Sequence, residues 1–197
     1  MRCFFAIEFD EETRLFLARI QSALRDSGIR GNYTNPTNFH LTLKFIGEVN
    51  PANLPGLELV LKKVASKHNP LVLEFGELGK FSRGRRPIIW CGLRTNNILL
   101  DLQKDLVKEL AAEFPQFSGY ERYIPHITLV REAVLKGAPS QGDHNKAAEG
   151  NPLDDLLKNV QRSDHRVMAR GISLMESTRR DGRLVYLRKS FHDLKDK

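Results

Sequence analysis

The sequence predicts an α+β fold in which antiparallel sheets carry helices on their outer faces. Predicted strands and helices are mixed along the 197 residues, and several strands are adjacent in sequence. A short segment, His-x-Thr-Leu, occurs at His40 and again at His126, once in each half of the chain. The length fits one domain, or one domain built from two similar lobes, and we take residues 1–197 as that domain.

The first half predicts a strand, a helix, a second strand, a second helix and two more strands. Alternating apolar residues mark a strand over 2–9, and a helix with Asp10 as its N-cap runs to Gly28. A turn-rich stretch, 32–38, leads to a strand over 39–47, and a helix over about 54–65 follows. Strands are predicted at 71–75 and 88–93, with a basic loop between them.

The second half opens with an amphipathic helix that turns leucines inward and ends near residue 114. A strand then holds residues 126–130. Residues 137–151 are rich in Gly, Pro, Ser, Asn and Ala, which predicts a long exposed loop. A short helix over 153–160 and strands over 166–175 and 184–191 complete the chain, with Asp181-Gly182 as the turn between the last two.

Composition narrows the class of protein. Hydrophobic residues make up 41% and charged residues 28%, which is typical of globular proteins. The net charge of +7 favours an anionic partner such as nucleic acid or a phosphorylated metabolite, although a basic surface can also serve solubility alone. There is no signal peptide pattern and no apolar stretch near the roughly 18 residues of a membrane span. We therefore expect a cytoplasmic protein with reduced thiols at Cys3 and Cys91 and no membrane contact.

The repeated His-x-Thr-Leu segment provides the candidate catalytic residues. Residues two apart on a strand share a face, so His40 and Thr42 lie together, as do His126 and Thr128. One imidazole can take a proton from water while the other gives a proton to a departing oxygen, and the threonine hydroxyls can donate hydrogen bonds to phosphoryl oxygens. One such tripeptide alone is common; two copies, each at the start of a predicted strand, predict a paired catalytic site.

These residues resemble the 2H phosphoesterases, and among them the bacterial and archaeal RNA 2′,3′-cyclic phosphodiesterases, also called 2′-5′ RNA ligases. The resemblance rests on Phe39-His40-Leu41-Thr42-Leu43-Lys44-Phe45-Ile46-Gly47-Glu48 and Pro125-His126-Ile127-Thr128-Leu129-Val130-Arg131, and it extends over nearly the whole chain. It implies a bilobal α+β fold, with two antiparallel sheets related by pseudo-two-fold symmetry around a central cleft. It also implies hydrolysis of an RNA 2′,3′-cyclic phosphate to a 2′-phosphomonoester without a cofactor, with 2′-5′ ligation as a reverse activity. His40 would be the proton donor and His126 the proton acceptor.

Further basic and aromatic residues are candidates for substrate binding. Arg131 lies five residues after His126 and would face away from it on an ideal strand, so a bulge must turn it for phosphate contact. Lys44 lies four residues after His40 and is predicted to share its face, as a phosphate neighbour or a charge at the cleft edge. Phe45 can stack on a base or pack in the core. The predicted backbone-tracking patch for RNA, or alternatively a solvated loop, comprises Arg83, Arg85 and Arg86.

Two alternative functions stay open from the sequence. The first is a related 2H enzyme that acts on a small nucleotide cyclic phosphate or on a 2′-5′ linkage. The second is a non-catalytic RNA- or nucleotide-binding module, against which the two titrating imidazoles argue. Because no group of His, Cys, Asp or Glu has ligand spacing, no metal is predicted. We expect a monomer whose partner is RNA with a 2′,3′-cyclic phosphate end.

Overall fold

Nine strands and four helices make up the part of the chain that the structure, a computed structural model, describes: residues 1–82, 86–94, 96–119, 122–135, 152–159 and 164–195. The strands are β1 (Arg2–Glu8), β2 (Ile29–Tyr33), β3 (His40–Glu48), β4 (Leu71–Phe81), β5 (Ile88–Leu93), β6 (His126–Leu135), β7 (Arg166–Ala169), β8 (Gly171–Arg180) and β9 (Arg183–Asp193). The helices are α1 (Glu11–Asp26), α2 (Leu54–Ala65), α3 (Asn97–Glu113) and α4 (Pro152–Asn159).

The strands form two antiparallel sheets. One has the order β3-β1-β8-β9 and the other the order β2-β6-β5-β4-β7. The strand that begins with His40 is therefore in the first sheet, and the strand that begins with His126 is in the second. This is the predicted α+β fold with two antiparallel sheets.

Helices cover the outer faces of both sheets, as predicted. The buried stripes of α2 and α3 pack against the first sheet, and α1 and α4 pack against the second. Asp10 caps α1, since its carboxylate accepts a hydrogen bond from the Thr13 backbone N–H at 2.8 Å. A continuous set of buried apolar residues runs through both sheets and their helices, from Phe5 and Leu41 to Leu102 and Ile127. One apolar core thus holds the two sheets together.

Three predictions from the sequence need correction. Residues 29–33 form the edge strand β2, where the sequence predicted no strand and a turn-rich stretch from residue 32. The strand was missed because Gly31 and Asn32 are weak strand formers. The stretch 166–175 is not one strand, because β7 pairs with β4 and β8 pairs with β1 in the other sheet. Strand β4 also continues to Phe81, beyond the predicted residue 75.

Other predictions about the elements are confirmed. Helices α1 to α4 begin and end within a few residues of the expected positions. The turn between β8 and β9 is made by Asp181 and Gly182, both with positive φ (50° and 74°), as a two-residue hairpin of this sequence requires. The predicted loop 137–151 lies outside the described residues. No helix among the described ranges is both long and apolar enough to cross a membrane.

Candidate active site

The two His-Thr pairs meet in a single cleft of about 850 Å³ between the sheets. His40 and Thr42 stand at the start of β3, and His126 and Thr128 stand at the start of β6; all four side chains line the cleft. The residue between the histidine and the threonine of each pair, Leu41 or Ile127, is fully buried on the opposite face of its sheet. Strand alternation therefore anchors each pair on one side and presents it to the cleft on the other.

Both imidazoles are held through the same ring nitrogen. Nδ1 of His40 donates to the carbonyl of Asn38 at 2.8 Å, and Nδ1 of His126 donates to the carbonyl of Ile124 at 2.7 Å. A carbonyl can only accept, so Nδ1 carries the proton and Nε2 is left as the basic nitrogen of each neutral ring. The Thr42 hydroxyl therefore donates to Nε2 of His40, at 3.0 Å.

Aromatic rings pack against each histidine. His40 lies 4.8 Å from Phe4 and 4.9 Å from Tyr186, measured between ring centroids. His126 lies 4.8 Å from Phe81, edge to face, and 6.1 Å from Trp90. These rings restrict rotation of the imidazoles and lower the local dielectric, which strengthens electrostatic interactions at Nε2 of each ring.

The same burial lowers the basicity of both histidines. Desolvation is the largest cause and lowers the pKa of His40 to about 4, with the positive charges of Arg131 and His126 acting in the same direction. The pKa of His126 is also lowered, by desolvation first and by Arg131 in addition. The backbone carbonyl at each Nδ1 opposes this shift in both cases. In the free protein both rings are therefore neutral at pH 7.

A β-bulge after each His-Thr pair determines which later residues face the cleft. In β6, Thr128 is opposite Trp90 and Val130 is opposite Ile89, so Leu129 is an extra residue and the alternation of faces inverts. Arg131 consequently points into the cleft, which is the reorientation that the sequence required for phosphate contact. The carbonyl of Arg131 approaches β2 so closely that a Cβ at Gly31 would lie 2.7 Å from it. Glycine is needed there because of this contact.

The equivalent bulge in β3 overturns the predicted position of Lys44. Here Thr42 is opposite Ala6 and Lys44 is opposite Phe5, so Leu43 is the extra residue. Lys44 then turns to the buried face, 7% exposed, where its ammonium donates to the carbonyl of Gly119 at 2.8 Å. It lines no part of the cleft. Phe45 takes the position that corresponds to Arg131 and lines a second space, of about 580 Å³, beside the cleft, so packing in the main core is not its environment.

The basic loop predicted to track RNA is described only at one end. Arg83 and Arg85 lie outside the described residues. Arg86 is exposed, and its guanidinium lies 3.9 Å from the carboxylate of Glu132. It is not among the residues that line the cleft.

Sequence reasoning missed several residues at the cleft. Arg179 and Arg183 flank the β8–β9 turn and both line the cleft. The run Arg179-Arg180-Asp181-Gly182-Arg183, a hairpin turn between arginines, was the signal that could have found them. Asn38 was also missed; it is buried, and its side-chain amide donates to the carbonyl of Leu184 at 2.9 Å. Among the residues described, no cluster of His, Cys, Asp or Glu could hold a metal ion.

Comparison with known proteins identifies the family. The family model described as LigT like phosphoesterase matches residues 7–90. The RNA 2′,3′-cyclic phosphodiesterase of Methanothermobacter thermautotrophicus is 29% identical over 90% of this chain and 91% of its own length. The Escherichia coli protein of the same name is 30% identical over 67% of this chain and 72% of its own length.

Solved structures agree in fold. Escherichia coli LigT complexed with 3′-AMP superposes with a TM-score of 0.76 at 23% identity, over 99% of this chain and 98% of that one. TT0787 of Thermus thermophilus gives a TM-score of 0.75 at 22% identity, with 98% of each chain covered. Taken with the family model and the relatives at 30% identity, this similarity shows that the chain belongs to the LigT-like family of 2H phosphoesterases.

Proposed function

We propose that this protein hydrolyses the 2′,3′-cyclic phosphate at the 3′ end of RNA to a 2′-phosphomonoester, without a metal. The observation that carries the proposal is the pair of His-Thr segments that line one cleft, each imidazole held at Nδ1 so that Nε2 is the reactive nitrogen. The relatives named RNA 2′,3′-cyclic phosphodiesterase support the substrate class. The net charge of +7 suits a polyanion.

The reaction needs one proton acceptor and one proton donor. Nε2 of His126 takes a proton from water, whose oxygen attacks phosphorus. The bond between phosphorus and the 3′ oxygen breaks, and protonated Nε2 of His40 gives its proton to that oxygen. This assignment follows the family resemblance. If the 5′ hydroxyl of a second RNA replaces water, the same steps form a 2′-5′ linkage, which is the proposed ligase activity.

The substrate itself helps to charge the donor. His40 is neutral at pH 7 in the free protein because its pKa lies at about 4. A phosphodiester anion bound beside it offers an opposite charge and a hydrogen-bond acceptor, both of which raise the pKa of an imidazole. The anion also offsets the charge of Arg131, which otherwise lowers the pKa of both histidines. Binding of the substrate therefore favours the protonated state that the donor requires.

Charge on the phosphoryl group needs stabilisation during the reaction. Arg131 faces the cleft near both histidines, and its guanidinium can donate two hydrogen bonds to phosphoryl oxygens. Once Nε2 of His40 is protonated it no longer accepts from Thr42, so the hydroxyls of Thr42 and Thr128, which lie on the same faces as their histidines, can donate to the same oxygens. These donors are fixed by strands, so little reorganisation is needed when the reaction occurs.

The direct test is incubation of the purified protein with an oligoribonucleotide that ends in a 2′,3′-cyclic phosphate, in excess EDTA. We expect a 2′-phosphate as the product isomer, identified by its resistance to a 3′-specific phosphatase. Turnover of a cyclic mononucleotide with none of the oligonucleotide would favour a small-molecule enzyme. Binding of both substrates without turnover would favour a binding module, and activity that EDTA abolishes and one metal restores would contradict the metal-free mechanism.

A further inference from the structure

A second compartment of about 580 Å³ lies beside the main cleft and is also lined by His40. The two spaces are adjacent, because both are lined by His40, Thr42, Arg131, Arg179, Leu184 and Tyr186. His126 and Thr128 line only the main cleft. A phosphate between the two histidines therefore lies in the main cleft, and a group in the second compartment lies beyond it.

The second compartment has the size and charge of a site for one nucleotide. Its volume lies within the range of roughly 300–1,000 Å³ that is usual for small-molecule sites. Its cationic lining consists of Arg2, Arg131 and Arg179, and Ser177 and Thr178 also line it. Two carboxylates, Glu48 and Glu176, line it too. Glu48 lies 3.5 Å from the N-terminal amine of Met1 and Glu176 lies 3.3 Å from Lys189, so both negative charges have partners.

An aromatic platform stands at the same place. The guanidinium carbon of Arg2 lies 4.8 Å from the centroid of the Phe45 ring, and that ring is 37% exposed. Bases of single-stranded RNA commonly stack on aromatic rings and on arginine planes, and the adjacent phosphates bind arginine side chains. A pair of this kind inside a cationic compartment offers both contacts to one nucleotide.

We propose that the second compartment binds the nucleotide that precedes the reacting one in the RNA, with its base on the Arg2–Phe45 platform and its phosphate near Arg179. The proposal rests on the proposed function, because it takes the RNA 3′ end to be bound in the main cleft. The protein would then recognise at least two nucleotides of an RNA strand and not only the terminal one. Arg131 and Arg179, which line both spaces, would follow the strand from one space to the other.

The test compares the affinity of the protein for two hydrolysis products, a nucleoside 2′-phosphate and a dinucleotide that ends in a 2′-phosphate. Neither ligand is turned over, so calorimetric titration reports binding alone. We expect the dinucleotide to bind at least about fivefold more tightly, since one stacked base contributes about that much or more. In the double variant Arg2→Gln/Phe45→Leu this advantage should fall to about twofold or less.

Two further variants make the comparison interpretable. Arg19→Gln removes the same charge from the exposed face of α1 and should keep the full advantage of the dinucleotide. Arg2→Gln alone changes an exposed side chain and should lose part of the advantage even if the double variant unfolds. Thermal unfolding of each variant verifies the fold.

Each other outcome overturns the inference in a distinct way. If the double variant weakens binding of both ligands equally, the second compartment holds the reacting nucleoside. If the wild-type protein binds both ligands equally, no second nucleotide is bound. The proposed function fails separately, when no cyclic phosphate is hydrolysed by a protein that still binds the dinucleotide more tightly.

Discussion

At the scale of single residues, the chemistry of the site depends on how each histidine ring is held. The sequence predicts that His40 and Thr42 share a face, since strand alternation needs only their spacing. It does not predict that the carbonyl two residues before each histidine, of Asn38 or Ile124, accepts from Nδ1. Nor does it predict the aromatic rings around each imidazole, which come from other strands. The carbonyls leave Nε2 as the basic nitrogen of each ring, whereas burial lowers the pKa of both rings.

The lowered pKa values predict an acidic optimum for kcat/KM, which reports ionisation of the free enzyme. The donor needs protonated His40, with a pKa of about 4, and the acceptor needs neutral His126, with a pKa below 6.5. The reactive combination is most populated between these values, so kcat/KM should be greatest below pH 6.5 and fall as pH rises. The optimum of kcat should lie at higher pH because bound phosphate raises both pKa values. Rates measured from pH 4 to 8 check this, and a kcat/KM optimum above pH 7 would contradict it.

Arg131 provides a variant for the same measurement. Its positive charge lowers the pKa of both histidines, so Arg131→Gln should raise both and move the kcat/KM optimum towards higher pH. The maximum rate should fall by about tenfold or more, because a charged donor to the phosphoryl group is lost. A variant with a lower rate and an unchanged optimum would show that Arg131 does not act on the histidines through its charge.

At the scale of strands, the two bulges explain where residue-by-residue reasoning succeeded and failed. An extra residue at Leu129 turns Arg131 towards the cleft, and the sequence could state that requirement without locating the bulge. The equivalent residue Leu43 turns Lys44 away from the cleft, and here the assumption of an ideal strand gave the wrong face. Bulges depend on pairing with the neighbouring strand, so periodicity within one strand does not reveal them.

Lys44 and Arg131 should therefore respond differently to neutralisation. Lys44→Met removes a buried ammonium and leaves the Gly119 carbonyl without that donor, so we expect a lower midpoint of thermal unfolding and kcat/KM within about threefold of wild type. Arg131→Gln should give the reverse: an unchanged midpoint and a large loss of kcat/KM. Calorimetry and steady-state kinetics on the two variants decide the matter. If folded Lys44→Met lost as much kcat/KM as Arg131→Gln, Lys44 would have to act in the site after all.

At the scale of the whole molecule, the lobes are not the two halves of the chain. The sheet that carries His40 is completed by β8 and β9 from the C-terminal part, and the sheet that carries His126 includes β2 from the N-terminal part. The sequence predicts the class of fold and the elements, because periodicity and turn residues are local. Exchange of strands between lobes is a long-range property, and it also explains why Arg179 and Arg183, far from both motifs in sequence, were missed at the cleft.

Binding of long RNA is also a property of the whole surface. Neutralising Arg83, Arg85 and Arg86 together should weaken binding of a long oligonucleotide and flatten its dependence on salt, by roughly 0.7 in the logarithmic slope for each phosphate contact that is lost. Turnover of a cyclic mononucleotide should change little by comparison. A salt series on both substrates measures this. Equal losses on both substrates would show that the loop contacts the reacting nucleotide. No loss on either would show that the loop does not contact RNA.

The central claim is that His40 and His126 act as acid and base at one phosphate. It is tested most directly by kcat/KM of His40→Ala and His126→Ala on an oligoribonucleotide with a 2′,3′-cyclic phosphate end, in excess EDTA. Each variant should lose at least two orders of magnitude, the contribution expected of a general acid or base, while its thermal unfolding matches that of the wild type. Near-normal turnover by either folded variant would contradict the two-histidine mechanism.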